Sequence, residues 1–211
     1  VATYDPSTAL VVVDVQNDFA DPAGSLYVTG GEDVVARVNL EIGRALRAGA
    51  TVVYTQDWHP ASTPHFARDG GIWPVHCVAG TWGAEFHPHL RVAGEVIRKG
   101  SNGEDGYSGF TMRDPVSGEE IPTPLEGLLR ERGIGRVVVV GLATDYCVNA
   151  TVLDARRLGF ETTVILDACA AVNLEPADGE EAMARMRAAG AELTAVGGAE
   201  DSPAAGEGRR P

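Results

Sequence analysis

Four consecutive valines, Val137–Val140, between Arg136 and Gly141, constrain this chain more than any other stretch. β-Branched side chains are stiff and pack best on a pleated surface, and a run without a polar member has both faces covered. Such a strand belongs in the middle of a parallel sheet with helices above and below. Gly141-Leu-Ala-Thr-Asp145 follows, a glycine break with cap-type residues, which predicts a helix starting near Thr144 or Asp145. Cys147 then falls in the first helical turn, where unpaired N–H groups and the helix dipole favour a thiolate. A small buried cysteine beside a sheet is the competing reading.

The remainder of the chain repeats this alternation. Leu10–Val15 predicts a buried strand running into Asp14-Val-Gln-Asn-Asp-Phe19, and Pro22 and Gly24 mark a loop. Val35, Val38, Ile42 and Leu46 recur at helical spacing, and Gly49 closes that helix. Thr51–Gln56 predicts a strand leading into Asp57-Trp-His59, and Val96–Lys99 a short strand with lysine at its end. A hairpin is expected at Val116–Glu119, helices over Pro124–Arg132, Val148–Leu158 and Ala177–Ala189, and strands over Glu161–Leu166 and Glu192–Val196. Strands alternating with helices predict an α/β fold, a doubly wound, mostly parallel central sheet with helices on both faces and right-handed crossovers. One domain over residues 1–196 is expected, with the Gly-, Pro- and Ala-rich stretch 197–211 as a disordered tail.

In such sheets the ligand site lies beyond the C-terminal strand ends, where the strand order reverses. Asp14, Asp57, Lys99 and Cys147 all stand at or just past such ends. Composition narrows the partners: 30 acidic against 17 basic residues, a formal charge of −13, argue against nucleic acid. Three cysteines in 211 residues do not suggest a disulfide framework. No apolar run has membrane-spanning length and the first residues carry no signal region, so a soluble cytoplasmic protein is expected.

Two sets of side chains carry chemistry. Asp57 and His59 lie two apart at a strand end and point the same way. His65 and His76 follow in an irregular segment, Pro60 to Gly94, rich in His, Trp, Pro and Gly, and can fold back onto that pair. One carboxylate with two or three imidazoles suits one divalent transition metal, Zn, Fe or Mn, against the alternative of surface histidines in a loop. His87 and His89, flanking Pro88, read as surface residues. The second set is Asp14, Lys99 and Cys147: a cysteine nucleophile needs a group to take its proton and a positive charge to hold the thiolate. Taken singly, Asp14 also reads as a cap residue and Lys99 as a solvated charge. Backbone N–H groups of Ala143 and Cys147 would serve as an oxyanion hole.

These residues in this order resemble the isochorismatase-like cysteine hydrolase superfamily, and within it the nicotinamidases. The matching pieces are Asp14–Phe19, Asp57-Trp-His59, His65-Phe66, Trp73-Pro-Val-His76-Cys77, Arg98-Lys99-Gly100, Tyr107-Ser-Gly-Phe110 and Gly141–Val148, spread from about Leu10 to Val196. The resemblance implies a Cys147–Asp14–Lys99 triad and a metal held by Asp57, His59 and His76, with His65 joining in some members. It also implies a cis peptide before Ala143 and aromatic walls from Phe19, Trp73 and Tyr107 around a pyridine ring. The implied reaction is hydrolysis of nicotinamide to nicotinate and ammonia through a cysteine thioester, with pyrazinamide as a further substrate. The acidic loop Ser101-Asn-Gly-Glu-Asp-Gly106 departs from the usual pattern at the pocket rim.

Rival readings are a metal-independent carbamoyl or ureido amide hydrolase of the same superfamily, and a non-catalytic metal-binding domain. Isochorismatase proper lacks the catalytic cysteine, so Cys147 counts against it. A small carboxamide is the expected partner, with neither nucleic acid nor membrane, and a homo-oligomer is left open.

Overall fold

The structure, a computed structural model, describes residues 2–195. The expected tail 197–211 and the last residue of the expected final strand, Val196, lie outside the described residues.

The chain builds β1 (Thr8–Val13), a short helix α1 (Asn17–Ala20), α2 (Gly31–Arg47), β2 (Thr51–Asp57) and β3 (Glu95–Lys99). A hairpin of β4 (Thr111–Arg113) and β5 (Glu120–Pro122) precedes α3 (Leu125–Glu131). Then come β6 (Arg136–Leu142), α4 (Asn149–Arg157), β7 (Glu161–Ala170), α5 (Asp178–Ala188) and β8 (Glu192–Thr194). The six long-range strands form one sheet in the order β3-β2-β1-β6-β7-β8, and each neighbouring pair is parallel. The chain winds outward from β1 on one side and from β6 on the other, so the strand order reverses between β1 and β6.

The two central strands have no exposed residue, and their alternate side chains enter opposite cores. Leu10, Val12, Val138 and Val140 pack with Val35, Val38 and Ile42 of α2. Ala9, Val11, Val137 and Val139 pack with Leu125 and Leu129 of α3, Val152 of α4 and Met186 of α5. This is the period-two consequence of a strand covered on both faces, and each buried valine stabilises by about 1.5–3 kcal/mol over exposure. Among the described residues no helix is long and apolar enough to cross a membrane.

Three local differences from the sequence reading sit near the strand ends. β6 continues through Gly141 to Leu142, where the sequence suggests a turn at Gly141. Gly141 has φ +117°, and a Cβ there would lie 2.1 Å from the carbonyl oxygen of Val13, so the strand continues because this residue has no side chain. β7 runs on to Ala170, past the Asp167-Ala-Cys169 stretch expected to end it, because a register irregularity lets Cys169 and Ala170 pair again with Gly141 and Leu142. Between β6 and α4 the turn Thr144–Val148 is wound wider than an α-helix, with Val148 N–H donating to Ala143 O at 3.0 Å. Such π-type turns concentrate at functional sites.

Candidate active site

Register in the sheet assembles the first cluster. Asp57 is the last residue of β2 and pairs with Lys99, the last of β3, while Val13 pairs with Gly141 across the reversal point. Asp14, just past β1, takes the left-handed conformation at φ +48°, rare for a residue with a side chain. Its carboxylate accepts from Thr55 Oγ1 at 2.6 Å and from Lys99 Nζ at 2.8 Å. Lys99 also donates to Tyr107 O at 3.1 Å and reaches Cys147 Sγ at 3.6 Å. It stands 2.9 Å from Asp57 Oδ1 as an ion pair, off the line of a hydrogen bond. Asp14, Asp57, Lys99 and Cys147 are all buried, and one oxygen of each carboxylate and the Cys147 sulfur lie within 4.8 Å of one another. That trio resembles a metal site in its atoms, but the Lys99 ammonium already touches all three.

Burial raises the Asp14 carboxyl, with Lys99 opposing and Asp57 reinforcing the rise. Burial also works against an ionised Asp57, yet Lys99, His59 and His76 bring its carboxyl down to about 2. Lys99, despite burial, is held firmly protonated by Asp14 and Asp57. Cys147 departs from expectation: burial pushes the thiol well up, Lys99 opposes this, and Asp14 and Asp57 add to it. Burial is the largest of these effects, and it works against the thiolate that the helix end would favour. Asp14, whose own affinity for protons is raised, is the carboxylate within reach of that thiol.

The second cluster comes from the loops after β2. His59, His65 and His76 are all buried and offer ring nitrogens within 4.8 Å of one another. His76 Nδ1 lies 2.7 Å from Pro74 O and His65 Nδ1 lies 2.7 Å from Asp105 Oδ1, so both present Nε2 inward. His59 has no hydrogen-bond partner on either ring nitrogen, and its Nε2 is 3.8 Å from Asp57 Oδ2. Burial lowers its pKa to about 4, with Asp57 opposing, which leaves a neutral imidazole. A Cβ on Gly100 would lie 2.6 Å from His59 Nδ1, so the glycine at the end of β3 makes room for that ring. Buried, neutral, unpartnered imidazole nitrogens beside an ionised carboxylate fit a divalent transition metal. His65, which the resemblance adds only in some members, belongs to this cluster by position. His87 and His89 stay apart from it; His89 is exposed, whereas His87, expected at the surface, is buried with its N–H on Val15 O.

Between the clusters lies a small cavity, of about 30 Å³, that opens to solvent. Phe19, Trp73 and Tyr107 line it, together with Ala143, Cys147, Asp57, His65 and His76. The Leu142–Ala143 peptide is cis. Trp73 Nε1 donates to Tyr107 OH at 2.9 Å, fixing the two rings against each other. Sequence reasoning missed Tyr146, which lies edge-on to Trp73 at 4.8 Å, and Leu26, Val28 and Val172, which add apolar wall. Tyr146 had a signal in its position beside Cys147; the aliphatic residues had none, coming from aperiodic loops. Gln16 carries no role in the sequence reading. Its amide pairs with the backbone of Asp57 like an added strand, Nε2 to Asp57 O and Asp57 N to Oε1, each at 2.8 Å.

Comparison with known proteins agrees with this architecture. A family model described as the isochorismatase domain matches residues 8–197. A nicotinamidase of Escherichia coli (strain K12) is 40% identical over 206 residues, spanning 89% of this chain and 94% of that enzyme. A pyrazinamidase of Pyrococcus horikoshii, solved in complex with zinc, superposes with a TM-score of 0.80 at 39% identity, covering 90% of this chain and 100% of that one. An L. infantum protein solved in complex with nicotinate gives 0.81 at 37% identity, covering 92% and 96%. With nearly its whole length matched and its sheet built the same way, the chain belongs to the isochorismatase domain family.

Proposed function

We propose that this protein is a cysteine amidohydrolase that converts nicotinamide to nicotinate and ammonia, and that it also accepts pyrazinamide. The observation that carries the reading is the buried Lys99 ammonium between Asp14 at 2.8 Å and the Cys147 sulfur at 3.6 Å, with Cys147 itself on the wall of a small aromatic cavity. The likeness to nicotinamidases over most of the chain supports the choice of amide.

Phe19, Trp73 and Tyr107 hold a flat heteroaromatic ring, and Cys147 faces its carboxamide. Asp14 takes the thiol proton as sulfur bonds to the carboxamide carbon, and Lys99 keeps the paired anions tolerable. The backbone N–H groups of Ala143 and Cys147 receive the oxyanion; one such donor is worth about 3–4 kcal/mol in other enzymes. Asp14 returns its proton to the departing nitrogen, releasing ammonia and leaving a thioester. A water then gives a proton to Asp14, attacks the thioester carbon and expels the Cys147 sulfur, which recovers a proton from Asp14. Asp57, His59, His65 and His76 would hold one divalent ion, Zn, Fe or Mn. When bound, that ion supplies a Lewis-acid anchor that orients the pyridine nitrogen.

The test is ammonia release from nicotinamide, pyrazinamide and a panel of carbamoyl amides, by wild type and Cys147→Ala. Nicotinamide and pyrazinamide should turn over, and Cys147→Ala should lose that activity while keeping its metal content. Full turnover by Cys147→Ala would sink the mechanism. Activity confined to carbamoyl amides and indifferent to chelator would favour the metal-independent relative instead.

A further inference from the structure

The acidic loop between Lys99 and Tyr107 has a part that the reaction above does not use. Asp105 sends Oδ1 to His65 Nδ1 at 2.7 Å, and the same oxygen accepts from Gly106 N–H at 2.9 Å. His65 is buried at that contact, while the Asp105 side chain is 48% exposed, so the carboxylate reaches in from the rim. The backbone around it is pinned as well. Asp105 N–H donates to Arg113 O at 2.8 Å and Arg113 N–H to Asp105 O at 2.5 Å, stitching the loop to β4.

The three imidazoles of the cluster are supported differently. His76 leans on a neutral carbonyl, His59 has no hydrogen-bond partner, and His65 alone is hydrogen-bonded to a carboxylate. A carboxylate only accepts hydrogen bonds, so this contact places the proton on His65 Nδ1 and leaves the Nε2 lone pair facing the other rings. It also makes the ring a stronger donor to a metal, as carboxylate partners of ligating histidines do. We propose that Asp105 is a positioning residue that holds His65 as a standing ligand, so that the 101–106 loop, fastened to β4, sets the affinity of the metal site. The proposal rests on the metal-binding part of the functional reading.

The experiment is competition of wild type, Asp105→Ala, Asp105→Asn, His65→Ala and the His65→Ala/Asp105→Ala double variant against a chromophoric chelator for Zn²⁺ and Co²⁺. Melting in excess chelator establishes that each variant is folded. Asp105→Ala should weaken both ions by about 10–100-fold, the usual loss for such a partner. Asp105→Asn keeps an acceptor without the charge and should lose less. In the His65→Ala background, removing Asp105 should change affinity by less than about twofold, because its effect passes through that ring. The visible Co²⁺ spectrum of Asp105→Ala should move toward that of His65→Ala. Equal affinity in wild type and Asp105→Ala would overturn the proposal, as would an equal loss in both backgrounds. Should Asp105→Ala fail to fold, Asp105→Asn alone decides, since unchanged affinity and spectrum there would equally refute it. If wild type itself takes up neither ion, the metal reading fails, and the proposal with it; uptake by wild type separates the two.

Discussion

Lys99 is the residue on which the catalytic cluster most depends, since its buried ammonium is shared by Asp14, Asp57 and Cys147. Lys99→Met leaves two buried carboxylates facing each other, and breaking such a pairing costs about 3–5 kcal/mol. The sign with pH follows. Burial and Asp57 already raise the Asp14 carboxyl above its ordinary 3.8, and losing Lys99 raises it further. The folded variant then binds a proton at higher pH than the unfolded chain does, so the folded state gains as pH falls. Urea unfolding should show the largest deficit against wild type at pH 7 and a smaller one at pH 5; a deficit independent of pH would contradict this. Cys147 yields a second outcome. Because its thiol is pushed up, alkylation of the metal-free enzyme by a small neutral reagent should be slow at pH 7 and rise about tenfold per pH unit toward pH 9. A rate that is flat below pH 7 would mean a standing thiolate. Asp14→Asn, which removes the proposed proton acceptor, should lower kcat for nicotinamide at least about a hundredfold.

At the scale of elements, the turn from β6 into α4 is the most exacting part of the fold. Gly141→Ala would set a methyl 2.1 Å from Val13 O at a backbone φ of +117°. Two central strands would have to separate, and thermal melting should show a loss of about 3 kcal/mol or more together with lost turnover. This same turn marks the limit of what the sequence makes legible. Valine runs announce β1 and β6, so Asp14 and Cys147 can be placed at their ends, and the shorter runs before Asp57 and Lys99 place those two likewise. Periodicity says nothing about a π-wound turn, a four-residue α1, or the renewed pairing that carries β7 to Ala170. Nor does it say that Asp105 reaches His65 across forty positions, or that Val172 closes a wall. Those contacts come from loops whose course depends on tertiary packing. The sign of the Cys147 shift was illegible for a related reason: the local helix end favours the thiolate, but burial and two carboxylates from distant strands outweigh it.

At the scale of the whole molecule, the two clusters meet in one carboxylate. Asp57 gives Oδ1 to Lys99 and turns Oδ2 toward His59, so the histidine cluster and the Cys147 cluster share a support. Stripping the ion should therefore remove turnover and also lower stability. A site filled at a hundred times its dissociation constant contributes about 2.7 kcal/mol, or about 5–10 °C in Tm for a domain of this size. Calorimetry with and without chelator, followed by readdition of Zn²⁺, Fe²⁺ or Mn²⁺, measures both. The strand order also divides the site along the chain. Asp14, Asp57, the three clustered histidines and Lys99 all precede the β4–β5 hairpin, and Cys147 follows it. Val116, near the tip of that hairpin, is 94% exposed. A chain severed after Ser117 thus yields one fragment with Asp14, Asp57, Lys99 and the clustered histidines and another with Cys147. Neither holds a complete sheet or a complete site. Co-expressed, they should release ammonia from nicotinamide; expressed singly, they should not. The enzyme is in this sense a two-part lock whose seam runs between β1 and β6, and activity reports whether that seam has closed.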